Sequence, residues 1–230
     1  MYYPQVYRGK TISSEKLGAS AIHKLLVNGR LQLTSLGLEG DEQREHFHGG
    51  PDRALCHYPM EHYLFWKRQL PELTELFSPP FFGENISTEG MTEENVHIGD
   101  IFQWGETLIQ ITQPRSPCYK LNLITGISDF AAMMQNNGCC GWLYRVISPG
   151  FVSTAEPIKL LSRNSDISVK EAISIAFHSP FDEEQYRYLM GAAGLSASWS
   201  LTMQKRLLLG RIEDFNRRLF GHQPKNNAKE

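Results

Sequence analysis

Neither sign of charge is in excess: 23 Lys and Arg stand against 25 Asp and Glu, a formal charge of -2 over 230 residues. That balance gives no long-range field toward nucleic acid or an anionic membrane, so any anion site has to be local. Runs of about eighteen apolar residues, as a membrane span requires, are missing. The N-terminal MYYPQVYRGK has no apolar stretch that would direct export. These absences predict a cytoplasmic chain without nucleic-acid or membrane partners. Cysteine is scarce too: Cys56, Cys118, Cys139 and Cys140 include no CxxC pair, and the adjacent last two bridge each other only with strain. A disulfide scaffold and an iron–sulfur cluster are thereby disfavoured, and no GxGxxG nucleotide fingerprint is found.

What is present supports a real core, since 41% of the residues are apolar. Asn28-Gly29 lies between two apolar-rich runs over residues 21–34 and predicts a β-hairpin with a type I′ turn. VHIGDIFQ and TLIQITQ flank Trp104-Gly105-Glu106 and predict a second hairpin, ended by Pro114. WLYRVIS at 142–148 and PIKLLS at 157–162 add short strands. Pro59 predicts the start of a helix over MEHYLFWKRQL, with the aromatic run Tyr58, Tyr63, Phe65 and Trp66 as its buried stripe, and Ser128 with Asp129 is expected to cap FAAMMQ. From Ser168 the pattern changes: Ser168 to Glu171 reads as a capping box, and Asp182 and Ser196 open two more helices. The expected class is α+β, a mainly β-barrel domain over 1–163 with peripheral helices, a three-helix domain over 164–220 and a flexible tail over 221–230.

Cys118 stands in QPRSPCYK, where two prolines stiffen a loop at a predicted strand end and Arg115 and Lys120 are near in sequence. A nearby cation favours the thiolate, which binds soft metals, though a packed cysteine fits the same local pattern. The remaining three cysteines read as packing. His48-Gly49-Gly50-Pro51-Asp52-Arg53 combines glycines, which let a ligand approach the backbone, with a guanidinium that can clamp a phosphate. The bland alternative is a set of tight turns with Arg53 paired to Asp52. His46, His48, Asp41, Glu42 and His57 allow a competing divalent-metal reading, a zinc hydrolase, without a recognised zinc spacing. Asn85, within FGENISTEG, offers an amide to a heterocycle or closes an Asx turn.

Taken in order, GLEGD, HGGPDRALCHY, FGENISTEG, VHIGDIF and ITQPRSPC resemble the MOSC family, named after the C-terminal domain of molybdenum cofactor sulfurases. The match looks like the branch of bacterial 6-hydroxylaminopurine resistance proteins, where a three-helix domain follows, and it covers roughly residues 3 to 220. The resemblance implies a molybdenum cofactor, with Cys118, the cysteine of the PRxPC pattern, as metal ligand and catalytic residue. Arg53, Arg115 and Lys120 would then supply cations to the pterin phosphate, with Asn85, Asp52, Gly49 and Gly50 at the cofactor and His48 as proton donor. The implied reaction is reduction of small N-hydroxylated bases or amines to the amino compounds, with electrons from a separate reductase. A desulfurase that uses pyridoxal phosphate is fused to this domain elsewhere, but the chain has no room for it, so that cofactor is not expected. Two questions stay open: whether the chain turns over or only carries the cofactor, and whether its helical domain is a lid, a reductase-docking face, a homodimer contact or plain packing.

Overall fold

The computed structural model describes residues 1–14, 17–42 and 49–221. The chain begins with six strands, β1 (Gln5–Arg8), β2 (Ile12–Ser14), β3 (Gly18–Ser20), β4 (Leu25–Val27), β5 (Arg30–Thr34) and β6 (Gly37–Leu38). A 3₁₀ turn at Pro51–Arg53 leads into β7 (Leu55–His57), helix α1 (Met60–Gln69) and β8 (Ile86–Ser87). Next come β9 (Ile101–Trp104), β10 (Thr107–Pro114), α2 (Lys120–Thr125) and α3 (Phe130–Asn137). β11 (Trp142–Ser148), β12 (Gly150–Ser153) and β13 (Lys159–Ser162) are followed by α4 (Val169–Ile173), α5 (Glu183–Met190), α6 (Ala197–Leu209) and α7 (Asn216–Phe220).

The class is α+β, built on a curled half-barrel. Its eight-stranded sheet runs β13-β9-β10-β11-β7-β8-β1-β4, with one parallel pair, β7 on β8. Register shifts along β10, at Leu108/Ile109 and Ile111/Gln113, bend the strand as bulges do. Curling brings the segment before β1 against the segment before β13, where Tyr2 and Ile158 exchange backbone hydrogen bonds of 3.1 and 2.8 Å. The second expected hairpin forms, with Thr107 opposite Trp104 and Gly105 in the turn at φ 57°.

The first expected hairpin does not form. β4 pairs with β1, while β5 pairs with β12 and β6 in a separate three-stranded sheet. A type I′ turn needs positive φ at both central residues, and only Gly29 has it, at 89°. Thr154 takes that corner instead, its hydroxyl accepting from Gly29 N and its own amide donating to the Gly29 carbonyl.

Aromatic side chains fill the core. Tyr63 and Trp66 form the buried face of α1, while Phe65 is only partly covered. Trp66 packs on Phe130 with centroids 4.5 Å apart and donates its indole N–H to the Tyr58 hydroxyl at 2.7 Å, so burying it leaves no polar group stranded. Each such side chain contributes about 2–3 kcal/mol by leaving water. The buried cluster continues without a break into Ile173, Tyr186, Trp199 and Leu219 of the C-terminal helices.

Ser168, Asp182 and Ser196 cap α4, α5 and α6 through their side-chain oxygens. At α3 the expected cap differs: Asp129 occupies the N-cap but makes no side-chain cap bond. Asn122 of α2 does the capping, its Oδ1 accepting from Ala131 N at 2.7 Å. No described helix is long and apolar enough to cross a membrane.

Candidate functional site

β10 ends at Pro114, and the loop that follows is tied down before it reaches Cys118. Arg115 N donates to the Gly141 carbonyl at 3.0 Å, and Arg115 Nη2 donates to the Phe82 carbonyl at 2.7 Å. The Cys118 carbonyl accepts from Leu121 N at 2.9 Å, which starts α2 directly behind the thiol. From the far end of the chain, Arg218 Nη1 donates to the Pro117 carbonyl at 2.5 Å, and Tyr119 N donates to the Arg218 carbonyl at 2.8 Å. α7 thus laces the Cys118 loop on both sides.

The loop opens into a cavity of about 870 Å³ between the half-barrel and the C-terminal helices. Cys118, Arg53, Arg115, Lys120 and Asn85 line it together, and Ser198, Trp199, Arg217 and Arg218 form the opposite wall. Seven basic residues line it against three acidic ones, Glu42, Glu213 and Asp214. In a chain whose overall charge is -2, that excess is a local construction suited to an anion. Among them, Lys24 is committed to Asp41, and Arg206 to Glu213 in a two-pronged pair.

Burial works against the Arg115 charge, but the fields of Cys56, Cys118 and Glu84 outweigh it and hold the guanidinium above its ordinary range. Its Nη1 is buried with no hydrogen-bond partner. Burial pulls Arg53 below its ordinary value despite Asp52, and Arg53 Nη2 donates to the Ser198 hydroxyl at 3.0 Å. Burial likewise raises the Cys56 thiol, against the pull of Arg115. Soft sulfur and hard cations therefore meet at one end of the cavity.

Other expected site residues are placed differently. Gly49, Gly50 and Asp52 are not among the lining residues. Gly50, at φ 97°, accepts Arg53 N on its carbonyl and so starts the 3₁₀ turn. Asp52 bonds Arg145 at 2.8 Å and the Ala197 amide at 3.0 Å, tying β11 to the first residue of α6. Asn85 reaches the cavity wall, but its Oδ1 accepts from Cys56 N and its Nδ2 donates to Asp41 Oδ2 and the Tyr7 carbonyl. Its amide is thus occupied in holding β1, β7 and β8 together.

His46, His48 and, but for Gly221, the expected tail lie outside the described residues. Among the described residues no three His, Cys, Asp or Glu side chains are grouped to hold a metal ion. His57, drawn into the zinc reading by sequence proximity, is fully buried between the Tyr144 and Thr88 hydroxyls and stacked on Trp142. Burial, helped by the charge of His62, holds it down to about 3.

Cys56 and the C-terminal wall are what sequence reasoning misses. Cys56 lines the cavity from β7, and Arg217 and Arg218 come from a five-residue helix without a capping signal.

Residues 44–159 match the MOSC domain, and residues 167–210 match the YiiM-like, 3-alpha helix domain. The chain belongs to the MOSC-domain family. It is similar to Protein YiiM of Escherichia coli strain K12, with 62% identity over 223 residues, covering 96% of this chain and all of the relative. The crystal structure of YiiM from Escherichia coli matches with a TM-score of 0.85 and 58% identity, over 96% of this chain and 98% of that one. A Gibberella moniliformis protein named "Reductase" is 35% identical over 145 residues, 63% of this chain and 26% of that protein.

Proposed function

We propose that this MOSC-domain protein binds a molybdenum cofactor in the cavity and reduces small N-hydroxylated bases or amines to the amino compounds. The observation that carries the reading is Arg115: a buried guanidinium with an unpartnered Nη1, beside Cys118, in a cavity rimmed by cations. An unpaired buried charge is costly unless a ligand meets it. A pterin phosphate has the oxygens to do so, and a soft thiolate suits molybdenum where a hydroxyl does not. The residues present therefore fit the group.

Cys118 would hold the metal, while Arg53, Arg115 and Lys120 would hold the phosphate end. When bound, the cofactor supplies two-electron chemistry at the N–O bond. The chain's own contribution is to orient and enclose: Arg218 fixes the loop through the Pro117 carbonyl, and Trp199 with Phe177 keeps water from the helical side. Electrons would come from a separate reductase, and the fungal relative named "Reductase" favours reductive chemistry for the family.

Elemental analysis of protein from a cofactor-producing host tests this reading. Near-stoichiometric molybdenum in the native chain, lost in Cys118→Ser, is expected; metal retained by the variant overturns the ligand assignment. Steady reduction of a hydroxylamino substrate with an artificial donor is the second expectation. Transfer of cofactor to an apo-enzyme without any turnover would make the protein a carrier.

A further inference from the structure

Three of the four tryptophans, Trp66, Trp104 and Trp142, are fully buried within the half-barrel. Trp66 and Trp104 place their indole N–H groups on oxygens, the Tyr58 hydroxyl at 2.7 Å and the Ser153 carbonyl at 3.0 Å. Trp199 differs. It is 6% exposed and lines the cavity from the first turn of α6. Its backbone N–H is bonded, but its indole N–H has no hydrogen-bond partner among the described residues, and that nitrogen is not sealed in the core as the Trp142 nitrogen is.

The ring is firmly placed. Trp199 N donates to the Ser196 hydroxyl at 3.2 Å, and the neighbouring Ala197 N is tied to Asp52 at 3.0 Å. Phe177 packs edge to face against the indole at 5.7 Å, and Met203, one turn further along α6, continues the apolar wall of the same cavity. Ser198, next in the chain, reaches toward the sulfur end: its hydroxyl accepts from Arg53 Nη2 at 3.0 Å and donates to Gln113 Oε1 at 3.2 Å, on the strand that leads to Cys118.

Packing alone does not call for an indole here. Phenylalanine would fill an apolar wall without carrying a donor, and a buried indole N–H normally finds a partner. A fixed donor left open in an otherwise apolar stretch of wall is how a pocket orients a ligand.

We propose that Trp199 is the specificity-determining residue of the cavity: its indole N–H donates to a ring nitrogen of a flat heterocycle lying against Phe177 and Met203. The inference rests on the reading of the cavity as a reductase site and narrows it, since N-hydroxylated heterocycles carry such an acceptor away from the N–O bond and aliphatic hydroxylamines do not. A ligand without the acceptor leaves the donor empty and is selected against.

Isothermal titration of the native full-length chain with adenine and with indole tests this, because both are flat bicycles and only adenine has ring-nitrogen acceptors. Adenine is expected to bind about tenfold more tightly than indole. Trp199→Phe, checked for folding by circular dichroism, is expected to weaken adenine about tenfold and to leave indole within about twofold, a split that lost packing would not produce. Equal affinities in the native chain, or no binding of adenine, overturn the proposal, as does a folded Trp199→Phe chain that weakens both ligands alike or neither. Should that variant fail to fold, the comparison in the native chain decides alone. Molybdenum measured on the same sample keeps the two readings apart: discrimination by a chain without metal upholds Trp199 while the cofactor assignment falls.

Discussion

Arg115 donates Nη2 to the Phe82 carbonyl at 2.7 Å and keeps its other terminal nitrogen buried with nothing to bond. The charge is supported by its neighbours, but the unmet N–H costs the empty fold a hydrogen bond and strengthens whatever anion completes it. Arg115→Met removes both effects. Its molybdenum content after purification is expected to fall at least tenfold, while its unfolding free energy in urea, measured without cofactor, stays within about 1 kcal/mol of the parent. A variant that keeps its metal would show that the orphaned nitrogen serves the fold.

Asp52 connects the sheet to α6 through Arg145 and the Ala197 amide. Both partners of the ion pair are about a third exposed, so solvent screening limits its worth, and Asp52→Ala is expected to cost only about 1 kcal/mol. The informative readout is local. Amide exchange over Ala197 to Ser200 should speed up before global unfolding, and equal acceleration throughout the chain would deny Asp52 its clasping role.

Two buried histidines act on stability with opposite signs. His57 is held down at about 3 by burial and by the His62 charge, so acid unfolding gains a proton the native state refuses. Below about pH 6.5 this costs up to about 1.4 kcal/mol per pH unit, until His57 itself titrates. For His62, burial opposes the charge, but bonds and charges from Glu93 and Cys139 override it and push it up to about 10. Its contribution is complete below about pH 6.5 and drains away as pH rises toward 10. Denaturation midpoints should therefore peak near pH 6.5, with His57→Gln flattening only the acid limb and His62→Gln flattening the alkaline limb while easing the acid one slightly, because it removes the charge that helps hold His57 down. A monotonic profile would contradict both assignments.

Asn122 satisfies three backbone groups at once: the Ser128 and Leu219 carbonyls at 2.6 and 2.8 Å and the Ala131 amide at 2.7 Å. Asn122→Ala strands all three and is expected to cost about 2–3 kcal/mol in urea unfolding. Asn122→Asp should be worse, because a carboxylate oxygen would then face two carbonyls. An Asp variant more stable than Ala would mean that the N-terminal cap of α3 outweighs the other two bonds.

Much of this is legible before any coordinates, and the exceptions share a cause. The β9–β10 hairpin reads plainly because its turn and both partners are contiguous. Asn28-Gly29 misleads because turn chemistry marks a reversal without naming partners, and β5 finds its partner in β12, more than a hundred residues on. Cys118 declares itself through the prolines around it. Cys56 cannot, since only the pairing of β7 with β8 and β11 turns it toward the cavity. Asp52 looks like a partner for its neighbour Arg53, yet the sheet brings Arg145 to it. Local signals survive folding; long-range ones are created by it.

The lacing of the Cys118 loop by Arg218 has a consequence for the order of assembly. In a chain made only as far as β13, the loop that presents the thiol still lacks its clamp. Only when the last short helix arrives, a hundred residues after Cys118, do Pro117 and Tyr119 gain their partners. Under the proposed function, a chain without α7 would present Cys118 on an unclamped loop, so cofactor uptake would depend on a helix far along the sequence from the cysteine it serves.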